Sequence, residues 1–500
     1  MEKTIKEQLK DLRTMRRYIR TLRMLAAKAV HDVFPSGRLY VDHAVSKGYY
    51  CKLKLARPTT AADILAVKQR MQALIAANLP IETIEKPTAE VVALFRSKEG
   101  MLDKALLLET VGDATAIYNV LDGFADSFYG NLFPSTGIIY LFDLMPYDGG
   151  FLLRVPDPDN PDELRPYIKQ EQMWRTFQKE IEWEKAMGMK NVGDLNLKNR
   201  QGVMPTMVKV AEVLQERAIG EIADEIAEKH KKSGVRVVLI SGPSSSGKTT
   251  FCKRLQIQLY AQVLHPLMLS LDDYFVNREQ NPRDENGEYD YETIHAIDLK
   301  QFNSDLEHIL AGEKVALPTY NFQTGKREYL GNTIQMQPNS VLVMEGIHAM
   351  NPQLTPALPE HVSHKIYVSA LTSIALDAHN CIPTTDNRLV RRIVRDAQFR
   401  GCSAGDTLAR WASVRKGEEK WIFPFQENAH SMFNSAMLYE LAALRPIAEP
   451  LLQAVPNDDP QYPAAQRLLN FLHYFNPINR EELPNTSLLR EFVGGSSFEY

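Results

Sequence analysis

Cysteine is scarce: Cys51, Cys252, Cys381 and Cys402 are spread over 500 residues with no CxxC or CxxxH spacing. That excludes a disulfide framework and gives no sign of a cysteine zinc site. No run of about 18 apolar residues occurs, so no membrane-spanning helix is predicted. The opening MEKTIKEQLK lacks the apolar stretch and small-residue cleavage site of an export signal. Neither sign of charge dominates, since 58 Lys and Arg meet 62 Asp and Glu for a net charge of −4. A bulk nucleic-acid coat is therefore not expected. With 44% hydrophobic and 24% charged residues, the chain is neither a disordered tail, a coiled-coil rod nor a collagen-like fibre. What remains is a cytoplasmic, multidomain chain of enzymatic size, without internal repeats or low-complexity segments.

Changes of texture divide the sequence into five parts. Residues 1–34 read as a basic amphipathic helical segment: Ile5, Leu9, Leu12, Ile19 and Leu22 fall on one helix face, among nine Lys and Arg from Lys3 to Lys28. Such a helix either meets a membrane or RNA, or packs its stripe on the body behind it, and the interspersed acids favour packing. Residues 35–205 read as an α+β domain. Strands are expected at Leu39–Val41, Tyr49–Leu55, Gly137–Leu141 and Gly150–Val155, with helices over Ala61–Ala77 and Trp174–Met187. Residues 206–234 form a charged helical connector. From 235 to 447, buried apolar strands alternate with helices, the signature of a parallel α/β sheet. Residues 448–500 make a helical tail beyond a Pro-rich shift at Pro446–Pro463.

The strongest motif follows the apolar run VRVVLIS. Gly242-Pro243-Ser244-Ser245-Ser246-Gly247-Lys248-Thr249-Thr250 leads into the helical pattern FCKRLQIQLYAQV. This is a G-x-x-x-x-G-K-[ST] phosphate loop with a strand before it and a helix after it, the context the motif requires. The glycines let successive N–H groups turn inward around a polyphosphate, and the helix adds its positive N-terminal end. Lys248 supplies a full charge at the β/γ-phosphates, and the Thr249 hydroxyl suits Mg²⁺. A nucleoside triphosphate is the expected ligand.

Two more apolar strands end in acids. HPLMLSLDDYF brings Asp272 and Asp273 to a strand end, and SVLVMEGIHAM brings Glu345. In a doubly wound sheet, ligands sit at the carboxyl ends of the strands, so these acids should gather at the loop. There a carboxylate holds Mg²⁺ or takes a proton from an attacking hydroxyl, or it merely caps a helix, the reading favoured for Asp273. Arg388, Arg391, Arg392 and Arg395 then share one helix face, with Asp386 and Asp396 as the only nearby acids in sequence. A transferring phosphoryl group would offset their repulsion; a solvated basic helix is the alternative.

From about Val235 to Leu444 the sequence resembles the uridine kinase and phosphoribulokinase family of P-loop kinases. The likeness runs through GPSSSGKTT, SLDDYF, PTYNF, VLVMEG and RLVRRIVRDAQFRG, in the family's order. It implies that Asp272 is the general base on a sugar hydroxyl and that Glu345 orders Mg²⁺. It implies that Tyr320 stacks on a nucleoside and that Arg392, Arg395 and Arg400 close over the phosphates. Two positions depart from the pattern: His295 stands where a ribose-binding Asp is expected, and Gly325 where a base-reading His is expected. The segment 411–441 and the ending LLREFVGGSSFEY resemble a long bacterial subgroup, whose kinase follows a threonyl-tRNA-synthetase-like domain. The N-terminal half resembles that editing domain through VDHAVSKGYY and YGNLFPSTGIIYLFDL. An editing centre needs HxxxH and a later CxxxH, whereas here Lys47 stands four residues after His43 and no CxxxH exists. Hydrolysis of mischarged tRNA is therefore not expected.

Together these readings predict an α/β P-loop kinase with a mainly parallel sheet, preceded by an α+β editing-like domain. The expected activity is ATP- and Mg²⁺-dependent phosphorylation of a nucleoside 5′-hydroxyl. Two rivals stay open: a kinase of a non-nucleoside alcohol, and an ATP-sensing protein that binds tRNA or other RNA. Expected partners are a small nucleoside and ATP, with no membrane. Nucleic acid at the N-terminal domain and a homo-oligomer are left open.

Overall fold

A computed structural model describes residues 4–98, 100–285 and 287–499. Lys3, counted above among the basic residues of the first segment, lies outside them. Two compact units result, neither continuous in sequence. One takes Met1–Met204, Thr372–Thr384 and Asn470–Ile478; the other takes Pro205–Leu371, Thr385–Leu469 and Asn479–Tyr500. The kinase-like stretch and the tail drawn from sequence thus each contribute residues to both units.

The N-terminal unit is α+β with antiparallel sheets. Arg38–Val45, Gly48–Lys54, Gly150–Arg154 and Asp143–Tyr147 form a four-stranded sheet in that spatial order. Ile81–Pro87, Thr115–Leu121 and Phe124–Asp126 form a second. The expected strand at Gly137–Leu141 is absent: Thr136–Ile138 is a 3₁₀ turn. There the Tyr18 hydroxyl accepts the Tyr140 and Leu141 amides that a strand would have spent on a ladder.

The basic helix Leu12–Val33 starts at Asp11, whose carboxylate accepts the Thr14 amide. It is a core element rather than a surface one. Tyr18, Leu22, Met24 and Leu25 are fully buried, and its cations find partners inside the unit. Arg17 donates to the Leu132 carbonyl, and Lys28 pairs with Asp32 at 2.9 Å.

The C-terminal unit carries a five-stranded sheet, β1 (Val237–Ser241), β2 (His265–Ser270), β3 (Ser340–Glu345), β4 (Ser363–Ser369) and β5 (Ser431–Asn434). Its spatial order is β5-β4-β1-β3-β2, and every neighbouring pair is parallel. All carboxyl ends therefore emerge along one edge, with β1 central. Every residue of β1 is buried, which is why this strand reads as an unbroken apolar run. The predicted connector is the 30-residue helix Met204–Ser233. It holds the unit together: Glu216 pairs with Arg254 at 2.6 Å, and Glu212 accepts the Tyr439 hydroxyl. Among the described residues no helix is long and apolar enough to cross a membrane.

Candidate active site

The loop Gly242–Thr250 leaves the end of β1 and opens helix α1 (Lys248–Ala261). A Cβ on Gly242 would collide with the Val368 carbonyl oxygen of β4, so only glycine lets the loop cross the sheet edge this closely. Lys248 donates to the Pro243 carbonyl at 3.1 Å, which folds its ammonium back over the loop. The Thr249 hydroxyl lies 3.5 Å from the Glu345 carboxylate at the end of β3. The hydroxyls of Ser245 and Ser246 are buried without a hydrogen-bond partner. Buried polar groups are rarely left so, and here the unmet pair lines a phosphate loop.

Asp272 sits on the 3₁₀ turn Leu271–Tyr274 after β2. Burial raises its carboxyl pKa, against the pull of Lys248, Arg400 and Arg395. Glu345 is pushed up to about 7, chiefly by burial, with Asp272 and Glu491 adding to it and Lys248 opposing. Asp273 faces elsewhere. Its carboxylate accepts the Tyr320 amide at 3.1 Å and so fixes the hairpin Thr319–Asn321/Lys326–Glu328. Tyr320 itself is buried, edge-on to Phe275 and Phe322. Phe322 is the exposed ring of this group, with the Arg400 guanidinium 5.9 Å from its centre.

The arginine face divides into two kinds. On helix α2 (Thr384–Phe399), Arg388 and Arg391 are buried and settled by carboxylates distant in sequence. Arg388 pairs with Glu418, and Arg391 with Glu440 at 2.6 Å. These two need no phosphate to offset them. Arg392 instead reaches the phosphate loop, donating to the Ser244 hydroxyl at 2.8 Å. The buried Asp396 draws Arg392, Arg395 and Arg400 together at 3.2, 2.8 and 3.7 Å.

His295 is exposed, edge-on to Trp421. Gly325 lies at φ +70°, and a Cβ there would come 2.7 Å from Arg278 Nε. Arg278 also donates to the Phe322 carbonyl, so its guanidinium holds the hairpin where a larger residue at 325 would intrude.

Two carboxylates escaped the sequence reading. Glu292 has one oxygen shut from solvent without a hydrogen-bond partner. Its pKa is raised to about 7, mainly by burial, despite Arg392 and Lys248. Gly417, on the helix Ala404–Trp421, leaves it room: a Cβ there would overlap that of Glu292. Glu491, from the end of the chain, accepts both the amide and the hydroxyl of Thr250, at 3.2 and 2.7 Å. Neither lies in a local motif; Glu292 stands three positions before His295, but only folding shows which of them faces inward.

His43, the histidine nearest to an editing motif in sequence, is buried in an aromatic box in the N-terminal unit. It stacks on Phe177 at 3.9 Å, with Tyr50 and Trp174 beside it. Burial lowers its pKa to about 3, and both ring nitrogens lack partners.

Comparison with known proteins adds to this geometry. Residues 237–441 match the family described as Phosphoribulokinase / Uridine kinase family. The chain is 30% identical over 196 residues to a uridine kinase of Schizosaccharomyces pombe, 39% of this chain and 37% of that protein. A uridine kinase of Ureaplasma urealyticum serovar 10 is 28% identical over 196 residues, 39% of this chain and 85% of the relative. The N-terminal region is similar to a threonine–tRNA ligase of Laribacter hongkongensis, 31% identical over 129 residues. That match takes 25% of this chain and 20% of the ligase. The chain thus spans well under half of the Schizosaccharomyces kinase and of the ligase.

Proposed function

Taking residues 237–441 as a Phosphoribulokinase / Uridine kinase family domain, we propose that the chain transfers the terminal phosphoryl group of ATP to the 5′-hydroxyl of a nucleoside, uridine or a relative. The observation that carries this reading is Asp272, a half-buried carboxylate on the turn after β2, at the sheet edge that bears the phosphate loop, with Lys248, Arg400 and Arg395 drawing its pKa down against burial. The acceptor oxygen forms a bond to the terminal phosphorus while the bond to the ADP oxygen breaks. The hydroxyl proton passes to Asp272, whose raised pKa makes it a better proton acceptor than an ordinary carboxylate. Lys248 and the loop amides hold the phosphates. Arg392, already bonded to Ser244, and Arg395 steady the charge that spreads over the moving group.

The oxygens of Thr249 and Glu345 adjoin one another and are hard donors of the kind Mg²⁺ prefers. Among the described residues no group of three or more His, Cys, Asp or Glu could cage a metal alone. This fits an ion held by one carboxylate, a hydroxyl and substrate phosphates. Bound there, Mg²⁺ would neutralise phosphate charge.

One observation favours a second acceptor, an alcohol other than a nucleoside. Arg278 fills the space at Gly325, so the hairpin offers a guanidinium where the resemblance expects an imidazole. The test is to incubate the full chain with ATP, Mg²⁺ and a panel of nucleosides, following ADP and monophosphate. Turnover with one nucleoside is the expected result. ATP binding with no turnover across the panel would move the acceptor to another alcohol.

A further inference from the structure

The last residues of the chain reach the phosphate loop of their own unit. Leu488, Leu489, Phe492 and Val493 are fully buried. Leu488 packs where a Cβ on Gly247 would sit, 2.5 Å from its Cδ2, and the Arg391 guanidinium lies 4.9 Å from the centre of the Phe492 ring. Arg490 pins the segment by donating to the carbonyls of Leu483 and Gly494. Held this way, the short helix Arg490–Val493 presents Glu491 to the first turn of α1.

The contact is chemically specific. One carboxylate oxygen of Glu491 accepts both the backbone N–H and the hydroxyl of Thr250. These are donors at the N-terminal end of the helix that follows the phosphate loop, and such donors take phosphate oxygens when a nucleotide binds. A carboxylate here satisfies what an incoming phosphate must satisfy, and it repels that phosphate. Because the apolar neighbours fix the backbone of the segment, only the side chain of Glu491 has to swing aside.

We propose that Glu491 is a built-in competitor of the nucleotide: it holds the phosphate-binding donors of Thr250 and sets the affinity for ATP. The inference rests on the nucleotide reading above. It assigns the tail a role in the kinase site although the family match ends at residue 441.

The test compares the full chain with Glu491→Gln and Glu491→Ala, titrating each with a non-hydrolysable ATP analogue and Mg²⁺. Loss of one charged competitor should tighten binding about tenfold, in line with the strength of charge-assisted hydrogen bonds. The KM for ATP should fall likewise. Thermal unfolding without nucleotide shows whether each variant folds, and the isosteric Gln keeps the proposal testable if Ala does not. Equal or weaker binding by a folded Glu491→Gln would overturn the proposal while leaving the nucleotide reading intact. Binding by neither the original chain nor the variants would remove the nucleotide reading, and this inference with it.

Discussion

Each unit buries a set of charges, and the two sets are settled in opposite ways. In the N-terminal unit Lys104 is fully buried and pairs with Asp126 and Asp377, both at 2.8 Å. His379 lies 2.7 Å from Asp126, while the Tyr129 hydroxyl and the Asn380 amide donate to Asp377. Burial alone would lower the Lys104 pKa, yet the surrounding acids raise it; Asp126 is held down at about 2 against its own burial by Lys104 and His379. Apart from the Ser127 hydroxyl, the network is closed. At the phosphate loop the balance is reversed. Asp272, Glu292 and Glu345 all have raised pKa values, because burial outweighs the nearby cations. The Ser245 and Ser246 hydroxyls and one Glu292 oxygen have no partner. A closed set stabilises one fold, whereas an open one stores unmet charge and donors for a ligand.

The largest effect should come from breaking the open set at its base. Asp272→Asn should lower kcat by roughly 10²–10⁴, the usual range for a general base. Binding of ATP and thermal stability should hardly change, since a neutral amide removes a desolvated charge. Near-full turnover in steady-state assays would remove Asp272 from the base role. The closed set should respond the other way. Lys104→Met leaves Asp126 and Asp377 buried without their cation, and breaking a buried pair of this kind costs about 3–5 kcal/mol. Chemical denaturation should therefore show a large loss of stability, with kcat per folded molecule unchanged. A Lys104→Met chain as stable as the original would mean that the network is not closed in solution.

What could be read from the sequence follows from how local each feature is. The phosphate loop needs only its own nine residues and their flanks, and the strands before Asp272 and Glu345 announce themselves by unbroken apolar runs. Arg388 and Arg391 misled because their partners, Glu418 and Glu440, lie 30 and 49 residues away. A helical wheel shows four like charges but not the carboxylates that neutralise two of them. The segment 372–384 sits in the N-terminal unit, where Asp377 meets Lys104, 273 residues distant, and His379 meets Asp126. No composition shift marks that segment inside the kinase-like stretch. Glu491 is 241 residues from Thr250 and sits in a tail whose sequence resembles no motif of the loop it reaches. Gly137–Leu141 failed for a different reason: its apolar run fits a strand, but a tyrosine hydroxyl accepts the Tyr140 and Leu141 amides instead.

The smallest effect sharpens the same comparison through pH. The Glu345 pKa is about 7 in the folded chain against an ordinary 4.5. Between those values the folded chain keeps a proton that the unfolded chain has released. Rising pH therefore weakens the contribution of this group, and the ligand-free protein should lose stability relative to its Glu345→Gln variant from about pH 4.5 to 7. Activity should rise over the same interval, because only ionised carboxylates can accept a proton or hold a cation. Glu345→Gln should remove one part of this pH dependence and Glu292→Gln another, since the Glu292 carboxyl is raised to about 7 for the same reason, burial. The Lys104 network runs against this trend, since Asp126 sits below its ordinary value and adds stability that is lost only as pH falls toward about 2. Thermal unfolding of the ligand-free chain at stepped pH separates the two. A stability profile that is flat or rising between pH 5 and 7, and unchanged by Glu345→Gln, would mean that the charges at the phosphate loop are already settled without a ligand.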